Sequence, residues 1–555
     1  MTNAALRGKP YAGNPHVRFD EGEVASTATP KRGSLLYGKS TEAVNLSRRQ
    51  FFIGGAAFGA LGAFSGCRFF PSAAAASDGA PRLRFGVISD IHILRTGADE
   101  EMGAYGNSLT FRHTLEWFRS QNVDAVVIAG DMADWGMDVH LMAVSEAWYA
   151  VFPGDRYPDG RLISKFFVTG NHDWHGYTNG NIAETLYPDA AERPKHILQK
   201  DMAGWWEKAF HEPYAPIYSK EIKGYTFIGA HWDMGGYGAE AGKKVYAFGR
   251  IADYMAANGK KLNPALPFFY VQHPHPKDTC YGSWAWGHDK GIVTQTLSAY
   301  SNAIAFSGHS HYTLTDERSI WQGAFTSVGT SSLRYTGLPT REFVPQGFEN
   351  GRAFADDAWR RDALKIHGMF NRGDCRQGML WSVYDDHIAV KRREFLSNLD
   401  IGEEWVLPLP VAESRPFAFA ERAKKVNAPQ FPAGSAPEIT VVKVKNRGGT
   451  SPDGKETIPS QKKPTYRIVV PPVVKDNRAR LYTLEFTAEA QGVAPQKKVV
   501  LPLGFNHALA HEKNAKNHTC YFRVDDFGKG PVRFTVTPVG CFGARGRPLT
   551  ALYNG

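Results

Sequence analysis

From residue 83 onward, short apolar runs alternate with longer stretches whose apolar residues recur at helical spacing. Strands are predicted at 83–88, 124–129, 165–168, 225–228, 267–271 and 303–306, and helices at 109–118 and 139–151. Each predicted strand runs into Gly, Asp, His or Asn. This alternation predicts a layered α/β domain, in which ligand-binding residues sit just past the carboxyl ends of the strands. A predicted hairpin, 379–383 and 388–392, closes that region. Residues 401–437 are Pro/Ala-rich and lose periodicity, as a linker does. From 438 the texture changes to short strands without helices, at 439–444, 466–470, 481–486, 498–501, 520–524 and 532–537. That predicts a small all-β sandwich. The expected division is a catalytic domain at 82–400, a linker at 401–437 and a sandwich at 438–555.

The first 76 residues read differently, as an export signal and leader. Ser47-Arg48-Arg49-Gln50-Phe51-Phe52 precedes a Gly/Ala-rich apolar run, 52–64, that is shorter than the roughly 20 residues a bilayer span needs. Charge, then a short apolar stretch, then small residues is the layout of a cleaved signal. The paired arginines resemble a twin-arginine address, which implies a periplasmic, secreted or lipid-anchored protein. Membrane attachment is expected only if Cys67, in the weak lipoprotein box Phe64-Ser65-Gly66-Cys67, is lipidated. Cys280, Cys375, Cys520 and Cys541 remain, and they allow either two disulfides or four free thiols. The formal charge of +10 is partly local, because residues 1–70 hold nine Lys or Arg and four acids. With no basic block interleaved with aromatics, no nucleic-acid partner is expected.

The polar residues at the strand ends carry the candidate chemistry. In order they are Asp90-Ile91-His92, Gly130-Asp131-Met132-Ala133-Asp134, Gly170-Asn171-His172-Asp173, then His273, then Gly308-His309-Ser310-His311. Each alone is a weak signal, since such pairs usually mark turns. Five in this order, all after strands, point to one site. Carboxylate, imidazole and amide oxygen suit divalent or trivalent metals, and the absence of cysteine argues against a structural zinc–thiolate site.

These motifs closely resemble the calcineurin-like metallophosphoesterase family, with its pattern D-x-H, GD-x-x-D, GNH[DE], H and GH-x-H. The resemblance covers roughly 83–395 and implies a four-layer αββα sandwich of two mixed sheets flanked by helices. It also implies two metal ions, of Fe, Mn or Zn. By motif position, Asp90, His92 and His311 would hold one metal, and Asn171, His273 and His309 the other, with Asp131 bridging them. His172 would be the catalytic histidine, assisting the leaving group as a bridging hydroxide attacks, and Asp134 would orient it. Two ions so placed clamp the attacking and leaving oxygens of an in-line displacement, and histidine's ordinary pKa near neutrality suits proton donation beside them.

The substrate implied is a small phosphate ester. Asp134 stands where purple acid phosphatases have Tyr, and Asp173 with Trp174 departs from the 5′-nucleotidase branch. The Asn171-His172-Asp173 ending resembles phosphodiesterase-like branches, so diesters are expected ahead of monoesters. A catalytically silent scaffold, binding through the sandwich, is the competing reading. His275 competes with His273 for a ligand role, and His175 reads equally as a rim residue or a bystander. The insertions carrying Trp205, Trp206, Tyr214, Tyr218 and His231-Trp232-Asp233, those at 281–286 and 334–372, and Arg334, Arg341 and Arg372 are candidate substrate-selecting elements or ordinary packing and surface.

Overall fold

A computed structural model describes residues 79–93, 107–175, 181–233, 246–282, 287–334, 336, 376–395, 398–445, 449–450, 457–458, 462–474, 482–500 and 517–555. The leader, Arg341, Arg372, Cys375 and the side chain of His175 lie outside the described residues. Among the described residues no helix is long and apolar enough to cross a membrane.

Two sheets form the first part of the chain. The strands are β1 Leu83–Ile88, β2 Ala125–Ala129, β3 Ser164–Val168, β4 Ile217–Ile222, β5 Tyr225–Ala230, β6 Phe268–Val271, β7 Ala303–Ser307, β8 Ile320–Gln322, β9 Thr326–Gly329, β10 Gln377–Val383, β11 His387–Glu394, β12 Leu399–Asp400 and β13 Trp405–Pro408. One sheet runs β12-β11-β10-β1-β2-β3, with β13 also paired to β11, and the other runs β4-β5-β6-β7-β9-β8. In the first sheet β1, β2 and β3 are mutually parallel. In the second, β5, β6, β7 and β9 are parallel. The antiparallel strands lie outside these parallel blocks.

Strand alternation sends neighbouring residues into different cores. Val126 and Ile128 of β2 pack with helices α1 (Asn107–Ser120), α2 (Asp138–Val151) and α3 (Met202–Phe210) through Phe111, Leu115, Leu141, Trp148, Trp206 and Phe210. Val127 faces the other way, into a core shared by both sheets, with Phe85, Phe166, Phe227, Phe269 and Phe306. The far face of the second sheet, through Ile228, Tyr270 and Ala305, covers α4 (Ile251–Asn258) and α5 (Ile292–Leu297). Because both faces of these strands are buried, they read in sequence as continuous apolar runs such as Ala125-Val126-Val127-Ile128-Ala129. In these two sheets the predicted strand boundaries match within two residues, whereas β4, β8 and β9, which mix polar with apolar residues, and β12 and β13, which lie at or past the expected domain boundary, are not predicted.

His140, in the first turn of α2, is fully buried, and neither of its ring nitrogens has a hydrogen-bond partner among the described residues. Burial keeps it neutral, pushed down to about 4. Each unmet polar group costs about 1–3 kcal/mol, so His140→Leu should hold or raise the unfolding midpoint. A loss of stability in chemical denaturation would show that the ring is satisfied in solution.

The core of the first part continues past residue 400. Ile401, Trp405, Leu407, Val411 and Phe417 pack into the core between the sheets, so the stretch expected as a linker completes the domain before leaving it. Glu317 fastens this stretch down. Its carboxylate accepts from Arg392 Nη1 at 2.8 Å, from Trp405 Nε1 at 3.2 Å and from the Arg422 guanidinium. Arg422 also stacks on Phe542, 5.0 Å from the ring centre, which ties in the C-terminal domain. That domain is a sandwich of a three-stranded sheet (Glu438–Lys445, Lys462–Val470, His518–Arg523) and a four-stranded sheet (Tyr482–Ala490, Gln496–Val500, Val532–Gly540, Leu549–Tyr553). Ile468, Phe522, Leu484, Phe486 and Phe534 fill the space between them. Cys280, Cys520 and Cys541 are buried free thiols, so no disulfide joins these three.

Candidate metal centre

The parallel strands of both sheets end at one place. Asp90 follows β1, Asp131 follows β2, Asn171 follows β3, His273 follows β6, and His309 and His311 follow β7. The turns that deliver them are strained. Asp90, His92, Asp131, His309 and His311 all have φ between 50° and 70°, a region non-glycine residues rarely occupy. Gly130 (φ 95°) lets the chain pass close by, since a Cβ there would sit 2.2 Å from His273 Nδ1.

Asp90, His92, Asp131 and His311 place one donor atom each within 4.8 Å of one another, as do Asp131, His273 and His309. Asp131 belongs to both groups. His311 Nε2 is 3.0 Å from Asp90 Oδ1. A carboxylate can only accept, so His92 Nδ1 donates to Asp134 Oδ1 at 2.9 Å and leaves Nε2 as a lone pair. That nitrogen faces His311 Nε2 at 3.2 Å and Asp131 Oδ2 at 3.6 Å. By the same logic His273 Nδ1 donates to the Ala129 carbonyl at 2.8 Å, and Nε2 faces Asp131 Oδ2 and Asn171 Oδ1, each at 3.1 Å. Acceptors converge on two centres that share Asp131, an arrangement that needs protons or cations between them. Their chemistry, imidazole nitrogen with carboxylate and amide oxygen, fits Fe, Mn or Zn.

The charges respond accordingly. Burial pushes the Asp131 carboxyl up, but the neighbouring His273 and His172 hold it well below its usual range. Burial pushes His273 down, yet Asp131 raises it to about 9. The site is thus anionic enough to bind a proton on a buried imidazole. His92 is pushed down to about 4 by burial and by His172, despite the opposing pull of Asp134.

Asp134 meets His172 through its backbone and His92 through its side chain. Its carboxylate contacts His92, while His172 Nδ1 donates at 2.8 Å to the backbone carbonyl of Asp134 and stands 3.7 Å from the carboxylate. The turn at Asp134 therefore orients both histidines, each through a different oxygen. His172 is the more open of the two, with its side chain 19% exposed against 2% for His92. Asp173 is a strut. It is fully buried and accepts from the amides of Ala133 and Gly170, both at 2.7 Å, which fixes the β2 and β3 loops together.

His273, rather than His275, joins the cluster. Both ring nitrogens of His275 are engaged 2.7 Å from the hydroxyls of Ser307 and Ser310, behind the metal-site loop. Among the insertion aromatics, Trp206 and Tyr218 pack around buried His231, whereas Trp232 lies 5.4 Å from His309, ring centre to ring centre. The segment around His196 packs on residues 136–138, beyond the β2 loop. Leu198 N bonds Gly136 O at 2.9 Å, and Asp138 accepts from Tyr187 OH at 2.6 Å and His196 Nδ1 at 2.8 Å.

Sequence reasoning offered Arg334 only as a substrate-selecting or surface residue and missed the rest of the loop after β9. Thr330 bonds Ser89, Ser332 Oγ bonds the Asp90 carbonyl at 3.0 Å, and Arg334 pairs with the Asp134 carboxylate. Its signal was weak because β9, Thr326-Ser327-Val328-Gly329, is half polar. Only its ending on Gly before a Thr/Ser run matches the other site strands.

Residues 83–312 match the model of the calcineurin-like phosphoesterase family. A domain of that family is therefore present, and it implies metal-dependent hydrolysis of phosphate esters. Three solved structures show what the chain is similar to. A conserved protein from Streptococcus pneumoniae, described as a predicted phosphoesterase, shares 12% identity at a TM-score of 0.23, over 59% of this chain and 97% of that one. A purple acid phosphatase from yellow lupin seeds shares 12% identity at 0.35, over 60% of this chain and 56% of its own. Vacuolar protein sorting 29 from Cryptosporidium parvum shares 9% identity at 0.24, over 59% and 96%. No curated protein matches the chain.

Proposed function

We propose that this protein is an exported phosphoesterase that uses two metal ions to hydrolyse small phosphate esters, diesters ahead of monoesters. The observation that carries the reading is the pair of acceptor-lined centres sharing Asp131. Asp90, His92 and His311 would hold one ion, and Asn171, His273 and His309 the other, with Asp131 between them. When bound, such ions supply positive charge against the phosphoryl oxygens and make water reactive near neutral pH. The chain's own residues do the rest. Asp134 and Ala129 fix the ring tautomers of His92 and His273 so that each presents a lone pair inward. With Nδ1–H committed to the Asp134 carbonyl, the His172 ring is oriented so that Nε2, when protonated, serves the leaving oxygen. The four-layer αββα reading is supported by the three separate cores on and between the sheets. The diester preference is supported by the Asn171-His172-Asp173 ending, and export by Ser47-Arg48-Arg49 ahead of the apolar run.

The test is hydrolysis of a panel of aryl and natural phosphate mono- and diesters by metal-stripped protein, then with Mn²⁺, Zn²⁺ or Fe restored. Diester turnover that is lost on chelation and recovered on metal addition is the expected result. Turnover indifferent to metal would sink the dinuclear reading. Faster monoester hydrolysis would reverse the diester preference. Binding of metal without turnover of any ester would favour a silent scaffold.

A further inference from the structure

The loop after β9 brings a cation to the site from a part of the chain that none of the five metal motifs covers. Its backbone is held on both sides. Leu333 N bonds Ser89 O at 3.1 Å, Arg334 N bonds Asp90 O at 3.1 Å, and Arg376 Nη1 bonds Leu333 O at 2.8 Å. Arg334 therefore leaves from a backbone that is fixed relative to the metal ligand Asp90. From there its guanidinium reaches Asp134 on the β2 loop of the other sheet.

The Asp134 carboxylate is 2% exposed, and the Arg334 side chain is 19% exposed. Burial raises the carboxyl, but the Arg334 guanidinium and His92 together hold it well below its usual range. The same oxygen, Oδ1, accepts from both Arg334 and His92 Nδ1. Two sheets thus meet at one carboxylate oxygen, whose second donor is a ring of the metal cluster.

We propose that Arg334 is a positioning residue for the metal centre: by pinning the Asp134 carboxylate across the two sheets, it aims His92 at the metal and fixes the Asp134 carbonyl that orients His172. The proposal rests on the phosphoesterase reading for its catalytic consequence, but not for its effect on metal binding. Without the guanidinium, the Asp134 carboxylate loses the partner that holds it against His92 and is free to turn away. His92 Nδ1–H then loses its acceptor, and the ring is free to rotate away from His311 and Asp131. Lys cannot fully replace Arg here, since an ammonium supplies the charge but not the planar fork.

The experiment is calorimetric titration of metal-stripped protein with Mn²⁺ alone, for the parent, R334Q and R334K, with thermal unfolding checked for each. R334Q should weaken the tighter Mn²⁺ phase by about 10–100-fold, as loss of a partner to a metal-bound histidine does, with R334K between it and the parent. In ester hydrolysis at saturating Mn²⁺, kcat should fall in R334Q while KM stays within about 3-fold, because the interaction acts on the reacting centre rather than on ground-state binding. Parental Mn²⁺ affinity and kcat in R334Q would overturn the proposal. So would a rise in KM alone, which would make Arg334 a substrate contact. If R334Q does not fold, the R334K titration decides by itself, and parental affinity counts against the proposal. If the parent hydrolyses no ester, the titration still tests Arg334 while the functional reading fails separately.

Discussion

His172→Ala is expected to lower kcat by about 10²–10⁴-fold, the range general acid catalysis contributes, without weakening Mn²⁺ binding. The two outcomes separate because His172 touches the cluster only at its edge. Its ring lies 4.5 Å from that of His92, its amide donates to Asp131 Oδ1 at 2.9 Å, and its Nδ1 is spent on the Asp134 carbonyl. The backbone contact to Asp131 survives the substitution, so the shared carboxylate keeps its place. Esters with good leaving groups need less protonation and should lose less rate than alkyl esters. Asn171→Ala is the companion variant, because it removes the side-chain oxygen 3.1 Å from His273 Nε2. It should lower both metal affinity and turnover. Steady-state kinetics with nitrophenyl and alkyl esters, alongside metal titration, distinguishes the two. Should His172→Ala turn over alkyl esters at the parental rate, His172 is not the proton donor.

The second large effect concerns stability. Glu317→Ala is expected to destabilise the protein by about 3–5 kcal/mol at pH 7, the penalty for breaking a buried ion pair from one side. Arg392, whose side chain is 1% exposed, would lose its carboxylate, and the strap that runs through Trp405 and Arg422 to the C-terminal sandwich would loosen. Burial raises the Glu317 carboxyl, but Arg392 and Arg422 hold it down to about 2, from its ordinary 4.5. A depressed carboxyl contributes stability that is full above the unfolded value and is lost as pH falls through the folded one. The gap between parent and variant should therefore be constant above about pH 5 and close between about pH 4.5 and 2. Urea unfolding across that range measures it. A gap below about 1 kcal/mol at pH 7, the worth of an exposed pair, would mean that Glu317 is solvated.

Much of the architecture was legible because burial on both faces writes itself into a strand. Runs such as Phe268-Phe269-Tyr270-Val271 and Ala303-Ile304-Ala305-Phe306 leave little choice of local structure. The strands β4, β8 and β9, which mix polar with apolar residues, carried no such mark. Neither did the boundary near 400, where Trp405-Val406-Leu407 runs into prolines and reads as linker until β13 pairs with β11 and buries Trp405 and Leu407.

The candidate site divides in the same way. By itself the sequence determined the donor set and the strand ends that carry it, because metal chemistry restricts residue type, and turns after strands restrict spacing. Tertiary structure decided which donors meet, since Asp90 and His311 lie far apart in the chain and come within 3.0 Å only when the two sheets pack. It decided that Asp134 serves His92 through its carboxylate and His172 through its carbonyl, a distinction of one side-chain rotamer that no motif records. It also excluded His275, two residues from His273, because the Ser307 and Ser310 hydroxyls hold both nitrogens of that ring. And it set Arg334, which the sequence offers only as a substrate-selecting or surface residue, against the Asp134 carboxylate.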